Sequence, residues 1–352
     1  MSPANRLPDL AKVRKVAVLR LDKVGDLLLS TPAIRNVRTA LPQAEITLIT
    51  APYNSKVLQG WDGVDRLLIY DVDWPGQVKR EFCSETRARG VDLCLVLSPL
   101  MEAYRLGYAT RAPTRAGIVY STRVVPRLLA PLLLTHPLVL DIDGKLARGE
   151  PVPHEVSQML DLGAMLGFPA EEYPLEVPLD PGDSQWAQEA LAQRGLDGPL
   201  LAFHLSPKWL TGGWTPEELG SLIYRAMAEG SFASAVVTYG PAEAEVVKAL
   251  SPIIAGSRPE GTGPVSLLGE LPFGRWAGVL SQAELVITTD TGALHLAVAL
   301  GRRVVAVYEH ATFAHCSRQW APWQVPAHVV DKTDPERTRT DILHGVAALM
   351  QS

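Results

Sequence analysis

Short apolar runs alternate along this chain with stretches whose apolar residues recur at helical spacing. Residues 15–21, 45–50, 66–70 and 93–97 read as buried strands, with helices or loops between them. Strands apolar on both faces belong inside a parallel sheet with helices on each side. The run 27–40 has helical spacing and stops before Pro42. A second helical run, 154–168, carries Val156, Met159, Leu160, Leu162 and Leu166 and stops at Gly167 with Pro169 beyond. The alternation then pauses at 171–182, which is rich in proline and acidic side chains, as linkers are. It restarts with strands at 200–204, 235–239, 265–268, 286–289 and 303–308 and helices at 216–229 and 242–250. The expected class is α/β, with Rossmann-like domains over 1–180 and 181–330 and a C-terminal helix in 331–352 that is free to pack back on the first domain.

Composition agrees with two domains, since 352 residues with 47% apolar content exceed what one core usually organises. The 38 acidic and 33 basic side chains sum to −5 and are interspersed. No long basic run marks a nucleic-acid partner, and none is expected. Cys83, Cys94 and Cys316 are odd in number and lack metal or redox spacing, which suits a reducing compartment. The polar start, 1–14, has no signal-peptide character, so a cytoplasmic location is expected. The longest apolar stretch, 128–140, is broken by Pro131, His136 and Pro137 and falls short of the roughly 20 residues of a membrane span. Arg111, Arg115, Arg123 and Arg127 precede it. Such a segment either makes peripheral contact with the inner membrane surface, holds a phosphorylated lipid-linked substrate, or is a buried irregular part of its domain.

The clearest chemistry lies at 284–301, where Leu285-Val286-Ile287-Thr288-Thr289 leads through Asp290-Thr291-Gly292 into Ala293-Leu294-His295-Leu296-Ala297. This reads as strand, sharp turn and helix. The unpaired amides of a helix's first turn and the positive end of its dipole suit a phosphate or diphosphate, and Gly292 has no Cβ to hold the anion off. An ordinary connection with Asp290 as N-cap has the same signature. The first strand repeats the layout, with Asp22-Lys23-Val24-Gly25-Asp26 before a helix. Each half therefore offers a strand-turn-helix loop at the carboxyl end of a sheet, where open α/β folds place ligands. Two such halves suit a two-substrate transfer.

Five stretches in order resemble glycosyltransferase family 9, the group containing the ADP-heptose:lipopolysaccharide heptosyltransferases. They are Val18-Leu19-Arg20-Leu21-Asp22-Lys23-Val24-Gly25-Asp26 with Ser30-Thr31-Pro32-Ala33; Arg115-Ala116-Gly117; His154-Glu155-Val156; Tyr239-Gly240-Pro241-Ala242-Glu243; and Asp290-Thr291-Gly292 with His295-Leu296-Ala297. The resemblance implies a GT-B fold, in which two Rossmann-like α/β/α domains turn their parallel sheets toward a central cleft. It also implies an inverting reaction without a metal, on a lipid-linked or other cell-envelope saccharide acceptor. No cofactor is implied beyond the nucleotide-diphosphate sugar substrate, with ADP-heptose as the candidate donor.

Asp26, at the family's Gly-Asp position, is implied as general base, although an Asp opening a helix is otherwise an N-cap. The amides of Thr291, Gly292 and Ala293 are implied to take up leaving-group charge. Asp290 would shape that turn, and Glu243 would meet the donor ribose. His295 would touch the donor phosphates or else satisfy a core hydrogen bond. Ser206 and Lys208 belong to the donor side, and Lys23, Arg115 and Arg123 to the acceptor side.

The chain departs from the family where a lysine is expected in the first loop of the C-terminal domain. Leu205-Ser206-Pro207-Lys208-Trp209-Leu210-Thr211-Gly212-Gly213-Trp214 has Gly212 at that place, leaving Lys208 to reach in from the same loop. Tyr308-Glu309-His310 likewise replaces an aromatic-Gly stretch. Asp71-Val72-Asp73 and Asp141-Ile142-Asp143 spell the D-x-D pattern of metal-dependent glycosyltransferases of another fold. Neither reads as a turn after a strand with further ligands, so both are expected to be solvated loop carboxylates. His310, His315 and Cys316 lack a fourth zinc ligand at suitable spacing. Two rival readings use the same diphosphate anchoring: a sugar-nucleotide epimerase of this fold, and a non-catalytic sugar-nucleotide-binding protein.

Overall fold

The computed structural model describes residues 7–256 and 259–351; the first six residues of the polar start lie outside them. The chain divides into two compact units, Met1–Pro178 and Leu179–Ser352. In the first unit the strands are β1 (Lys15–Arg20), β2 (Glu45–Thr50), β3 (Arg66–Ile69), β4 (Leu93–Val96), β5 (Thr114–Tyr120) and β6 (His136–Leu140). The second contains β7 (Leu200–His204), β8 (Ser234–Tyr239), β9 (Val265–Gly269), β10 (Leu285–Thr289), β11 (Arg303–Glu309) and β12 (Ala327–Lys332). Neighbouring strands pair in parallel throughout.

The sheet orders are β3-β2-β1-β4-β5-β6 and β12-β11-β10-β7-β8-β9, the same doubly wound arrangement twice. In each, the first strand lies beside the fourth, and connections leave in opposite directions on either side of that pair. A crevice opens there, at the carboxyl ends of the two strands. The points that matter are therefore β1/β4 in the first unit and β7/β10 in the second.

Burial follows the sequence pattern. Five consecutive residues of β1, Val16 to Arg20, are buried, as helices on both faces require. Leu19, Ile49, Cys94 and Val96 pack with Tyr104 in the first core. In the second, Phe203 stacks on Trp209 with ring centroids 4.7 Å apart, and Trp214 meets Trp209 edge-on. Each fully buried aliphatic or Phe side chain stabilises its unit by about 1.5–3 kcal/mol relative to exposure.

Three regions differ from the sequence expectation. The helix expected over 27–40 is two helices, Val24–Leu29 and Thr31–Ala40. The break falls at Ser30, whose hydroxyl donates to the Asp26 carbonyl at 2.8 Å, and Pro32 opens the second helix. The stretch 128–140 forms regular structure: the helix Val124–Leu133 continues into β6. Pro137 is tolerated because β6 is an edge strand, bonded to β5 alone. The last helix, Pro335–Gln351, packs on β12 and on the helix Pro216–Glu229 through Ile342, Val346 and Leu349. Among the described residues, no helix is long and apolar enough to cross a membrane.

Candidate active site

At the β1/β4 switch point the central group is Arg20, the last residue of β1 and fully buried. Its Nε–H donates to the Asp26 carbonyl at 3.0 Å, one terminal nitrogen donates to the Leu97 carbonyl, and the other to Glu155 Oε1 at 2.9 Å. Asp22 and Asp26 lie 3.1 and 3.7 Å from the guanidinium. Burial alone would disfavour the Arg20 charge, but Asp22, Asp26 and Glu155 outweigh it and raise the group above its ordinary value. Burial lifts the Asp22 carboxyl, Arg20 opposes that shift, and Asp26 adds to it.

Asp26 sits at the third position of its short helix and is not the N-cap. That place is taken by Lys23, whose amide donates to Asp26 Oδ2 at 3.1 Å. The carboxylate keeps 26% of its side-chain surface in solvent. It is thus held from behind by a buried cation while an acceptor face stays open, as a general base needs.

Around this centre, Tyr120 reaches Glu155 Oε2 at 3.3 Å, and the Arg123 guanidinium lies 5.7 Å from the Tyr120 ring while donating to the Pro99 carbonyl. Arg123 therefore stands at the carboxyl edge with Asp26, as does the exposed Lys23. Arg115 does not. It is the second residue of β5, in register with Cys94 near the amino end of β4, and its guanidinium donates to the carbonyls of Leu133 and Ala112. Arg115 thus stands at the amino edge of the sheet, where its bonds brace the ends of β5 and of the helix Val124–Leu133.

At the β7/β10 switch point, Ser206 and Thr289 share a 2.6 Å hydrogen bond between their hydroxyls. The helix Gly292–Ala299 begins immediately after β10. Its N-cap is Thr291, which makes no side-chain cap bond and instead donates its hydroxyl to the Thr289 carbonyl at 3.3 Å. Asp290, expected to shape the turn as a cap, has another partner: Lys208 Nζ donates to its carbonyl and lies 3.3 Å from its Oδ2. A cation thus stands beside the helix start, paired with the Asp290 carboxylate. The first-turn amides at 291–293 have no partner within the helix.

His295, in the helix that follows the turn, is only 4% exposed. Gly212 has φ +66, a left-handed backbone that a lysine would strain, and Gly213 follows with φ +88. The loop is held by the buried Lys332, which donates to the Lys208 carbonyl and the Thr211 hydroxyl and pairs with Glu309 at 3.2 Å. Burial lowers the Lys332 pKa, and Glu309 opposes the shift.

A cavity of about 300 Å³ opens at the carboxyl ends of β7, β8 and β9, lined by His204, Tyr239, Glu243, Glu270 and Trp276 among others. The His204 ring lies 5.2 Å from Trp276, and its Nδ1 meets the Thr238 hydroxyl at 2.9 Å. Burial lowers the His204 pKa to about 4, so the ring is neutral at pH 7. The buried Trp276 N–H has no acceptor among the described residues. Glu243 accepts the Gly240 amide on Oε2 at 2.8 Å, leaving its other oxygen available. The sequence placed Glu243 here but gave no sign of the aromatic wall. Arg20 and Glu155 stood inside the quoted motifs without a role.

Both D-x-D pairs do follow strands, β3 and β6, contrary to expectation. Asp71 accepts the Asp73 amide, and Asp141 caps the helix Ile142–Ala147. Among the described residues, the group with metal-ligand proximity is His328, Asp341 and His344, whose ligand atoms lie within 4.8 Å of one another. A 2.7 Å His328–Asp341 hydrogen bond already accounts for two of them.

A sequence model of glycosyltransferase family 9 (heptosyltransferase) matches residues 80–346. The chain belongs to glycosyltransferase family 9. The lipopolysaccharide core heptosyltransferase OpsX of Haemophilus influenzae is 20% identical over 316 residues, 84% of this chain and 79% of that protein. The crystal structure of a family 9 glycosyl transferase from Veillonella parvula superposes with TM-score 0.79 at 20% identity, over 96% of this chain and 97% of that one. The ADP-heptose lps heptosyltransferase II of E. coli gives TM-score 0.72 at 18% identity, over 96% and 98% of the two chains. These likenesses establish the GT-B fold for this family 9 chain.

Proposed function

We propose that this family 9 protein is an inverting, metal-independent glycosyltransferase. It moves a heptose or related sugar from a nucleoside-diphosphate donor to a saccharide acceptor of the cell envelope, on the cytoplasmic side. The acceptor hydroxyl attacks the anomeric carbon as the bond to the diphosphate oxygen breaks. Asp26 takes the hydroxyl proton, and the diphosphate leaves with the bonding electrons. The amides at 291–293 and the Lys208 ammonium meet the charge that develops on it. The donor's base would lie against Trp276 and neutral His204, and its ribose against Glu243.

The observation carrying this reading is that a half-open carboxylate and a bare helix start with an adjacent lysine each occupy the switch point of their own sheet. ADP-heptose as donor and a lipopolysaccharide acceptor are taken from the names of the heptosyltransferase relatives.

Thermal melting with ADP, UDP, GDP and their sugars tests the donor side. The correct nucleotide at 100 times its dissociation constant should stabilise by about 2.7 kcal/mol. The stabilisation, and turnover with it, should survive EDTA. Asp26→Ala should cut turnover about 10²- to 10⁴-fold with donor affinity unchanged. A panel without any stabilising member would end the donor assignment, and full turnover in Asp26→Ala would end the general-base assignment.

A further inference from the structure

The first unit carries an apolar helix face turned to water. On the helix Val124–Leu133, only Ala130 is buried, while Val124, Val125, Leu128 and Leu132 are 59–70% exposed. Four large apolar side chains gathered on one face over about two and a half turns of helix are not the scattered exposure usual for a soluble surface. Proline at 126 and 131 keeps this helix short, and its polar complement is basic, with Arg123 and Arg127 both exposed.

The ground next to it is basic as well. The helix Met101–Ala109 packs against this one and forms a wall of an open hollow of about 490 Å³ that also borders the helix Gly76–Ala88. Exposed Arg80, Arg87, Arg105 and Arg111 line the hollow. Its single lining carboxylate, Glu102, is already bonded to Tyr70 at 2.6 Å and Lys79 at 2.9 Å. Residues 103–140 contain five arginines and no acidic side chain, in a chain whose net charge is −5. The nearby Asp141 and Asp143 are bonded to Ser121 and Thr122. Positive charge is therefore concentrated beside a helix that exposes leucine and valine.

We propose that this face docks on an anionic lipid bilayer, with Val124, Val125, Leu128 and Leu132 inserted at the acyl boundary and the arginine hollow receiving lipid phosphates. An apolar ridge with basic flanks lies in a membrane interface by this combination, each part too weak alone. The proposal concerns a surface that shares only Arg123 with the transfer site, and vesicle binding is read without donor or acceptor. Its failure would leave the transfer reading intact, and failure of the transfer reading would not touch it.

Full-length protein is floated with vesicles of phosphatidylcholine alone or with a third phosphatidylglycerol. Leu128→Ser/Leu132→Ser and Arg87→Glu/Arg105→Glu are compared with wild type after thermal melts confirm that each folds. Wild type should partition into anionic vesicles at least tenfold better than into neutral ones, with high salt removing the preference. Each double variant should lose at least tenfold in anionic partitioning. Equal partitioning of wild type and both variants overturns the proposal. So does sedimentation showing that the leucine face holds a dimer that does not bind vesicles.

Discussion

Arg20 is the side chain on which the first site turns. One buried cation serves three carboxylates, and removing it would leave the buried Glu155 carboxylate without its ion partner. Arg20→Met and Glu155→Met should each cost about 3–5 kcal/mol in urea unfolding. The double variant should cost less than the sum, by about 0.5–3 kcal/mol, because each single change leaves the other's charge unpaired. Strict additivity would show that the pair is not coupled. At Gly212 the backbone, not the missing side chain, decides the outcome. Gly212→Lys should lose roughly 1–2 kcal/mol to the left-handed conformation and gain no donor affinity, as melts and titration calorimetry would report. Lys208, from the same loop, lies 3.3 Å from Asp290 Oδ2 beside the helix start.

Strands and helices bring these residues to their places. β7 ends at His204, the ring that forms one wall of the cavity and is held neutral by burial. A histidine whose folded pKa is depressed from 6.5 to about 4 contributes stability in full above pH 6.5. That contribution is lost as the pH falls toward 4, and it amounts to roughly 3 kcal/mol. His204→Gln should remove this loss, so the wild-type minus variant difference in melting should shrink steadily from pH 7 to pH 4, whereas parallel pH curves would deny the histidine this part. The helix Gly292–Ala299 acts through its start. With Thr291 not capping and Asp290 drawn to Lys208, its first amides remain available to an anion.

The whole chain is two Rossmann-like units, each with its own sheet and core. The proposed donor contacts all lie in the second. A segment of residues 179–352 should therefore fold alone and keep the melting shift with the correct nucleotide, while losing transfer because Asp26 is absent. Loss of nucleotide binding in a folded segment would place an essential donor contact in the first unit. The sequence by itself determined the α/β class, the central strands and the turns at Asp26 and Thr291, because apolar periodicity and turn chemistry are local. It did not determine β5, the edge strands β6 and β12, or the break at Ser30. Register alone showed that Arg115 stands at the opposite end of the sheet from Asp26. Proximity alone joined Arg20 to Glu155, 135 residues away, and Lys332 to the loop after β7. Such pairings depend on which strands become neighbours, and tertiary packing decides that because no local segment carries the information.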